Sequence, residues 1–223
     1  MQDILDRYSS LLQEVDQWFA GCVQRHESSI TCARGCSSCC RGLFDITLLD
    51  ALYLRRGFNQ LSDDIQDSIR LKAGAQLEPL TARWPIFTAP WLLNPIPEIE
   101  WDDMMPEDDE TPCPLLSETG SCLVYAHRPM TCRLNGIPLI DVSGEELFDD
   151  WCTLNFADSD PRSAEDLRHA FNELFAQELL LFHEMTSRLL GKAISELDTI
   201  IPAAVFIDAE MVRQAMREEQ CDL

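Results

Sequence analysis

Lysine is nearly missing from this chain: Lys72 and Lys192 stand against fifteen arginines, and the formal net charge is −22. A surface this poor in cations repels phosphate backbones, which speaks against nucleic acid and, on the same ground, against an anionic membrane surface. No run of about 18 apolar residues is present, so no membrane span is expected. The opening Met1-Gln2-Asp3-Ile4-Leu5-Asp6 has neither the basic flank nor the apolar stretch of a secretory leader, and the expected location is the cytoplasm. Internal repeats, low-complexity tracts and a glycine-rich nucleotide fingerprint are also missing.

Cysteine, by contrast, is abundant, with ten in 223 residues. A chain of this length buries a sizeable core without cross-links, and a reducing compartment disfavours disulfides, so clustered thiols point to metal or redox chemistry. Cys32, Cys36, Cys39 and Cys40 fall within nine residues, too dense for ordinary core packing. Cys113, Cys122, Cys132 and Cys152 form a second group. Cys22 reads as a buried small hydrophobe, and Cys221 is set aside because chain ends fray.

Apolar residues from Ile4 to Cys22 recur at spacings of three and four, predicting an amphipathic helix that His26 ends as a solvated C-terminal residue. Asp45 is expected to cap a helix through Arg56 that stops at Gly57, with Leu48, Leu49, Leu52 and Tyr53 inward. Ser62 is expected to cap another to about Leu77, using Ile65, Ile69 and the Leu71 or Lys72 stem. Pro79 to Pro114 reads as a long connection anchored by Trp84, Trp91 and Trp101. Inside it, Glu98 to Glu110 carries eight carboxylates and no base, the texture of a solvated or mobile strip rather than a calcium loop. Leu123 to Tyr125 and Gly136 to Val142 are expected to be short extended pieces. Ser163 is expected to cap a long helix containing His169 and His183 and ended by Gly191, and a last short helix runs from Ala203 to Glu219 after Pro202. The expected fold class is mainly α: a single irregular helical domain over residues 1–223, with a loop-built cysteine-cluster region at 30–155 and a C-terminal helical region at 156–223.

Thiolates bind soft or borderline cations, four around zinc or one per iron of a 4Fe–4S cube. The spacing Cys32-x3-Cys36-x2-Cys39 lets one loop present three sulfurs to a centre, the fourth coming from afar. Cys40 follows Cys39 directly, so its side chain diverges toward a second metal, a bridge or a free reactive role. Radical S-adenosylmethionine enzymes share the x3, x2 spacing, but they place it after the first strand of a β/α barrel, and no strand–helix alternation follows here.

Cys113-Pro114-Leu115-Leu116 and Gly120-Ser121-Cys122-Leu123-Val124-Tyr125-Ala126-His127-Arg128-Pro129-Met130-Thr131-Cys132-Arg133, with the first cysteine group upstream, resemble the YkgJ-type cysteine-cluster family (CxxCxxCC, zinc- or iron-chelating) over roughly residues 30–155. That resemblance implies an iron–sulfur cluster or zinc, with no assigned reaction for most members. A flagellin lysine methylase carries the same motif, which makes methyl transfer a neighbouring chemistry. The segment Gly144 to Asp150 is expected to return the chain toward the site and make Cys152 the eighth thiol, the alternative being a buried cysteine beside Trp151.

Pro129 is expected to fix the turn that brings Cys132 toward Cys122. Arg128 and Arg133, and Arg34 and Arg41 from the first loop, are expected either to offset thiolate charge or to pair with surface carboxylates. Tyr125 either donates its hydroxyl near the centre or is a half-buried structural residue. His127 competes as a nitrogen ligand, but eight thiols suffice without it. The metal ligands expected are therefore Cys32, Cys36, Cys39, Cys40, Cys113, Cys122, Cys132 and Cys152, with Tyr125, Arg128 and Arg133 around the cofactor. The preferred reading is an iron–sulfur protein of 4Fe–4S type with an electron-transfer, redox-sensing or unidentified catalytic role. A zinc-binding structural or interaction protein is the alternative, and a radical or methyl-transfer enzyme the third. The partner is a protein or a small-molecule substrate of unspecified chemistry.

Overall fold

The structure, a computed structural model, describes the backbone of residues 1–221 and side chains as far as Arg217; the Cys221 side chain falls outside. Helix α1 (Gln2–Arg25) forms where the spacing predicts it, burying Ile4, Leu5, Tyr8, Leu11, Leu12, Val15, Trp18 and Cys22. His26 is not simply solvated, since its Nε2 lies 2.9 Å from Asp166 Oδ2.

Strand β1 (Asp45–Thr47) leads into α2 (Leu48–Phe58). The cap is Thr47 rather than Asp45: the Asp50 amide donates to Thr47 Oγ1 at 3.1 Å, while Asp45 is held in the strand. Gly57 lies inside α2 and does not end it. A Cβ there would stand 2.4 Å from the His127 ring, so the glycine admits that ring against the helix. Helix α3 (Asp63–Arg83) starts after Ser62 but runs through Pro79, and its inner row is Gln66, Ile69, Ala73, Leu77 and Leu80. Ile65 and Leu71, expected inside, are exposed because that row follows the helical period and leaves them on the opposite face.

The proline-rich connection is more than a wrap. It contains α4 (Trp101–Met104) and delivers Trp84, Phe87, Leu92, Leu93, Ile96 and Met104 to the core. The acidic strip is partly tied: Trp84 Nε1 donates to Glu100 at 2.7 Å, and Arg83 pairs with Asp103 at 2.5 Å. Residues 125–127 form a helical turn, not an extended piece, ahead of α5 (Met130–Leu134). Strands β2 (Leu139–Ile140) and β3 (Glu146–Phe148) pair antiparallel around an irregularity.

Helix α6 (Phe171–Leu190) begins seven residues later than a cap at Ser163 would have it, because Pro161–Ser163 and Glu165–Leu167 are separate 3-10 turns. Gly191, left-handed at φ 76°, ends it as expected. His169 precedes the helix and stacks on Trp18, and His183 reaches Ser195 Oγ at 3.0 Å. Strand β4 (Asp198–Ile200) returns to pair antiparallel with β1, Ile46 opposite Thr199. The single tail helix expected is split into α7 (Ile201–Ala204), with Pro202 in its first turn, and α8 (Ala209–Cys221).

The architecture is mainly α, as expected, with only small sheets. Helix α1 packs on α5 and α6, while α7 packs on α2 and α3. A large apolar cluster surrounds α1 and α6, and a smaller one gathers Ile46, Leu54, Phe58, Leu115, Val124 and Ile201. Among the described residues no helix is long and apolar enough to cross a membrane.

Asp198 in β4 is buried, and desolvation, then the charges of Asp45, Glu196 and Asp50, push its carboxyl up to about 7. The folded state thus holds this proton more tightly than the unfolded chain does. Its contribution is fully present below about pH 4 and is lost as pH rises through about 7. Asp198→Asn is expected to stabilise the protein by about 1–2 kcal/mol at pH 8 and to change little at pH 4, read from urea unfolding at both pH values.

Candidate metal centre

Between α1 and β1 the chain makes two consecutive tight turns. The Cys36 amide donates to Ala33 O at 2.9 Å and the Cys40 amide to Ser37 O at 3.0 Å, so each turn ends on a cysteine. The second cysteine group is sewn to this loop through the backbone. The Cys113 amide donates to Cys40 O at 2.9 Å, the Gly42 amide to Thr111 O at 2.9 Å, and Arg41 bridges Pro112 antiparallel. A small hairpin then carries Cys113 to Cys122, with Leu116 bridging Cys122 and the Leu123 amide donating to Leu115 O at 2.9 Å.

Cys132 is carried by α5, which starts after Pro129. The Met130 amide donates to Asp50 Oδ1 at 2.9 Å, fixing the start of that helix against α2. Arg133 reaches back to the carbonyls of Arg128, at 3.0 Å, and Ala126, at 2.9 Å, and also bonds Asp16 of α1. It is a buried strut that holds the Cys132 helix in place, and its charge helps hold the Cys122 thiol down against burial.

Asn155 is the residue the motif reading missed. Fully buried, it donates from Nδ2 to Cys32 Sγ at 3.2 Å and to Gly136 O at 2.7 Å, and its Oδ1 accepts from the Thr31 amide at 2.9 Å. The Cys152 amide in turn donates to the same Gly136 carbonyl at 3.3 Å. Gly136 adopts φ +119°, where a side chain is strained, and a Cβ on it would crowd Cys32 Sγ at 3.1 Å. The signal in the sequence was slight: one asparagine three residues after Cys152.

The thiols shift one another. Burial, then the charges of Cys113, Asp50 and Cys122, raises Cys132 well above the ordinary thiol range. Burial pushes Cys113 to about 12 and also raises Cys122. Cys32 is raised by burial against the Asn155 bond, with Cys152, Cys36 and Cys39 adding to it. The adjacent Cys39 and Cys40 thiols act on each other, which raises Cys39 and lowers Cys40; Cys40 also feels Cys113, Cys132 and Cys122. All eight expected thiols therefore lie in one region and none of them is in a disulfide.

Of the other residues, Tyr125 is sandwiched by cations, with Arg128 at 3.8 Å and Arg34 at 5.4 Å from its ring. Arg128 sits within electrostatic reach of Cys39, Cys122 and Cys132. Arg41 is paired with Glu110, the carboxylate-bound role. His127 packs on Tyr53 and over Gly57, a packing role in place of a ligand role. Cys22 is buried in α1 and Arg25 donates to its sulfur at 3.4 Å.

Among the described residues no three His, Cys, Asp or Glu side chains already converge on one point. The donors present are soft sulfurs that share a region, and the buried Arg128 Nε has no hydrogen-bond partner among the described residues. A negatively charged thiolate centre beside it supplies the missing acceptor, so these residues fit a thiolate-bound zinc or iron group.

A cleft of about 940 Å³ adjoins this region, and Cys39, Cys152, Asp50 and Glu178 are among its lining residues. The Tyr8 hydroxyl lies 2.7 Å from Asp50 Oδ1 and 3.1 Å from Glu178 Oε1. Having one proton to give, it cannot satisfy two carboxylates at once, and burial raises both carboxyls.

Removing the Asn155 side chain strands the Gly136 carbonyl and the Thr31 amide. Asn155→Ala is expected to cost about 1–3 kcal/mol and to speed alkylation of Cys32, read by urea unfolding and by mass spectrometry of the labelled peptide. An unchanged Cys32 labelling rate would show that the amide does not hold that sulfur.

Comparison with known proteins places residues 31–153 in the family model CxxCxxCC, described as "Putative zinc- or iron-chelating domain". Neither curated proteins nor solved structures give a match. The family match spans more than half of the chain and contains all eight thiols; the chain belongs to the CxxCxxCC family of metal-chelating domains.

Proposed function

We propose that this protein is an iron–sulfur protein whose thiols hold a 4Fe–4S cluster beside the cleft, for electron transfer or redox sensing. The observation that carries the reading is the convergence of three separated segments, around Cys32–Cys40, Cys113–Cys132 and Cys152, on one thiol-rich region next to a cleft. When bound, such a cluster supplies one-electron chemistry whose potential depends on hydrogen bonds to sulfur and on nearby charge.

This chain's own residues support that role. The Asn155 amide donates to Cys32 Sγ, and a sulfur that accepts a hydrogen bond carries less negative charge toward the metal. Arg128, half-buried beside the thiols and paired with Asp16 at 3.7 Å, keeps its buried Nε unpartnered and offsets the charge of a thiolate centre. Tyr125 holds the Arg128 guanidinium flat against its ring and so fixes where that charge sits.

Radical chemistry on the S-adenosylmethionine pattern finds no support, because the described sheets are two antiparallel pairs and not a β/α barrel. Zinc remains the second reading, favoured by one observation: Cys113, Cys122 and Cys132 pack against the smaller apolar cluster, as thiols of a structural zinc site do.

Protein purified without oxygen is expected to be brown, to bleach on reduction, and to contain iron and acid-labile sulfide in equal amounts. Colourless protein with stoichiometric zinc from the same preparation would contradict the iron–sulfur reading. Arg128→Gln is expected to lower the reduction potential of the cluster with its iron content retained, measured by a spectroscopic redox titration.

A further inference from the structure

Resting on the metal-chelating reading, we propose that the eight thiols form two centres: an inner one of Cys40, Cys113, Cys122 and Cys132 that holds the fold, and an outer one of Cys32, Cys36, Cys39 and Cys152 that faces the cleft. Each centre takes three sulfurs from one cysteine group and the fourth from the other.

The inner set is assembled by backbone. The Cys113 amide on Cys40 O places those two residues side by side, and the Leu116–Cys122 bridge folds Cys122 back over Cys113. Cys113, Cys122 and Cys132 all pack on the same apolar cluster, with Leu115 and Val124 in its centre. No member of this set is exposed and none lines the cleft.

The outer set is assembled by Asn155 and Gly136. The one amide side chain bonds Cys32 Sγ and the Gly136 carbonyl, and that carbonyl also receives the Cys152 amide. Cys32 packs against the other apolar cluster. Cys36 and Cys39 are exposed, and Cys39 and Cys152 both line the cleft.

The seam runs between Cys39 and Cys40. Cys39 is exposed and lines the cleft, whereas Cys40 is half-buried, does not line the cleft and accepts the Cys113 amide at its carbonyl.

The division assigns different work to the two centres. A thiolate centre packed against apolar side chains is a structural one, whereas a centre at the wall of a cleft is where bound metal meets a ligand or a redox partner. The cluster proposed above belongs to the outer set, and the inner set takes zinc or iron, which elemental analysis distinguishes.

The test uses the full chain, purified anaerobically, with metal per chain and Tm as readouts. Cys152→Ser is expected to lose part of the metal and to keep Tm within a few degrees of the wild type. Cys122→Ser is expected to lose the complementary part and to lower Tm by about 10 °C. Loss of all metal in both variants would overturn the division in favour of one centre. If Cys122→Ser does not fold, stepwise labelling of the wild-type protein with a thiol-reactive mercurial decides. Cys32, Cys36, Cys39 and Cys152 are expected to react together, releasing one metal fraction, before Cys40, Cys113, Cys122 and Cys132 release the other. Simultaneous labelling of all eight would overturn the division. Two-phase labelling of a colourless zinc protein would remove the iron–sulfur reading while leaving the division standing; one-phase labelling of an iron–sulfur protein would do the reverse.

Discussion

The amide of Cys113 donating to the carbonyl of Cys40 is the contact on which the thiol region depends. It joins the loop after α1 to the far end of the proline-rich connection, and with Gly42–Thr111 and Arg41–Pro112 it forms a short seam of backbone pairing. Without that seam the two cysteine groups are independent loops, each short of the sulfurs a thiolate centre needs. With it, the connection between α3 and Cys113 becomes a closed loop whose ends are pinned, and its tryptophans, Phe87, Leu93 and Ile96 fall into the core. Thiolate ligation across the seam reinforces what the backbone begins, so metal affinity and folding free energy are drawn from the same contacts.

A second network sets the angle at which the helices meet this region. Asp50 in α2 receives the Tyr8 hydroxyl from α1 and the Met130 amide from α5, while Glu178 of α6 faces the same hydroxyl. Arg133 and Asp16 tie α5 to α1 on the other side. Cys132 therefore inherits its position from three helices, although its own helix is only five residues long. The buried acids have a cost, since each carboxyl is raised by desolvation and ionisation opposes the fold. They also line the cleft, as Cys39 and Cys152 do.

Much of this was legible in the sequence where one face or one residue type repeats. The α1 stripe and the end of α6 at Gly191 follow from periodicity and from the left-handed turn that glycine allows. The cysteine spacings drew attention to eight thiols, none of which is in a disulfide. What failed were positions decided by distant partners. Asp45 looked like a cap but pairs with Ile200 in a strand; Gly57 looked like a stop but makes room for the His127 ring. Ser163 looked like the start of α6, and the local turns at Pro161 and Glu165 delay it. Asn155 carried almost no signal, because a single buried amide has no period and its three partners are remote in sequence. Arg133 was assigned a role toward the thiols, and the structure gives it mainly a strut's role between loop, helix and Asp16.

The central claim is that loops distant in sequence are one metal-dependent unit. Hydrogen exchange of the metal-loaded and chelator-treated full chain tests it directly. The account predicts that, on metal removal, protection is lost together at the amides of Cys36, Cys40, Gly42, Cys113 and Leu123, with the α1 amides unaffected. Loss confined to one of the two cysteine groups, or unchanged protection in both, would contradict it.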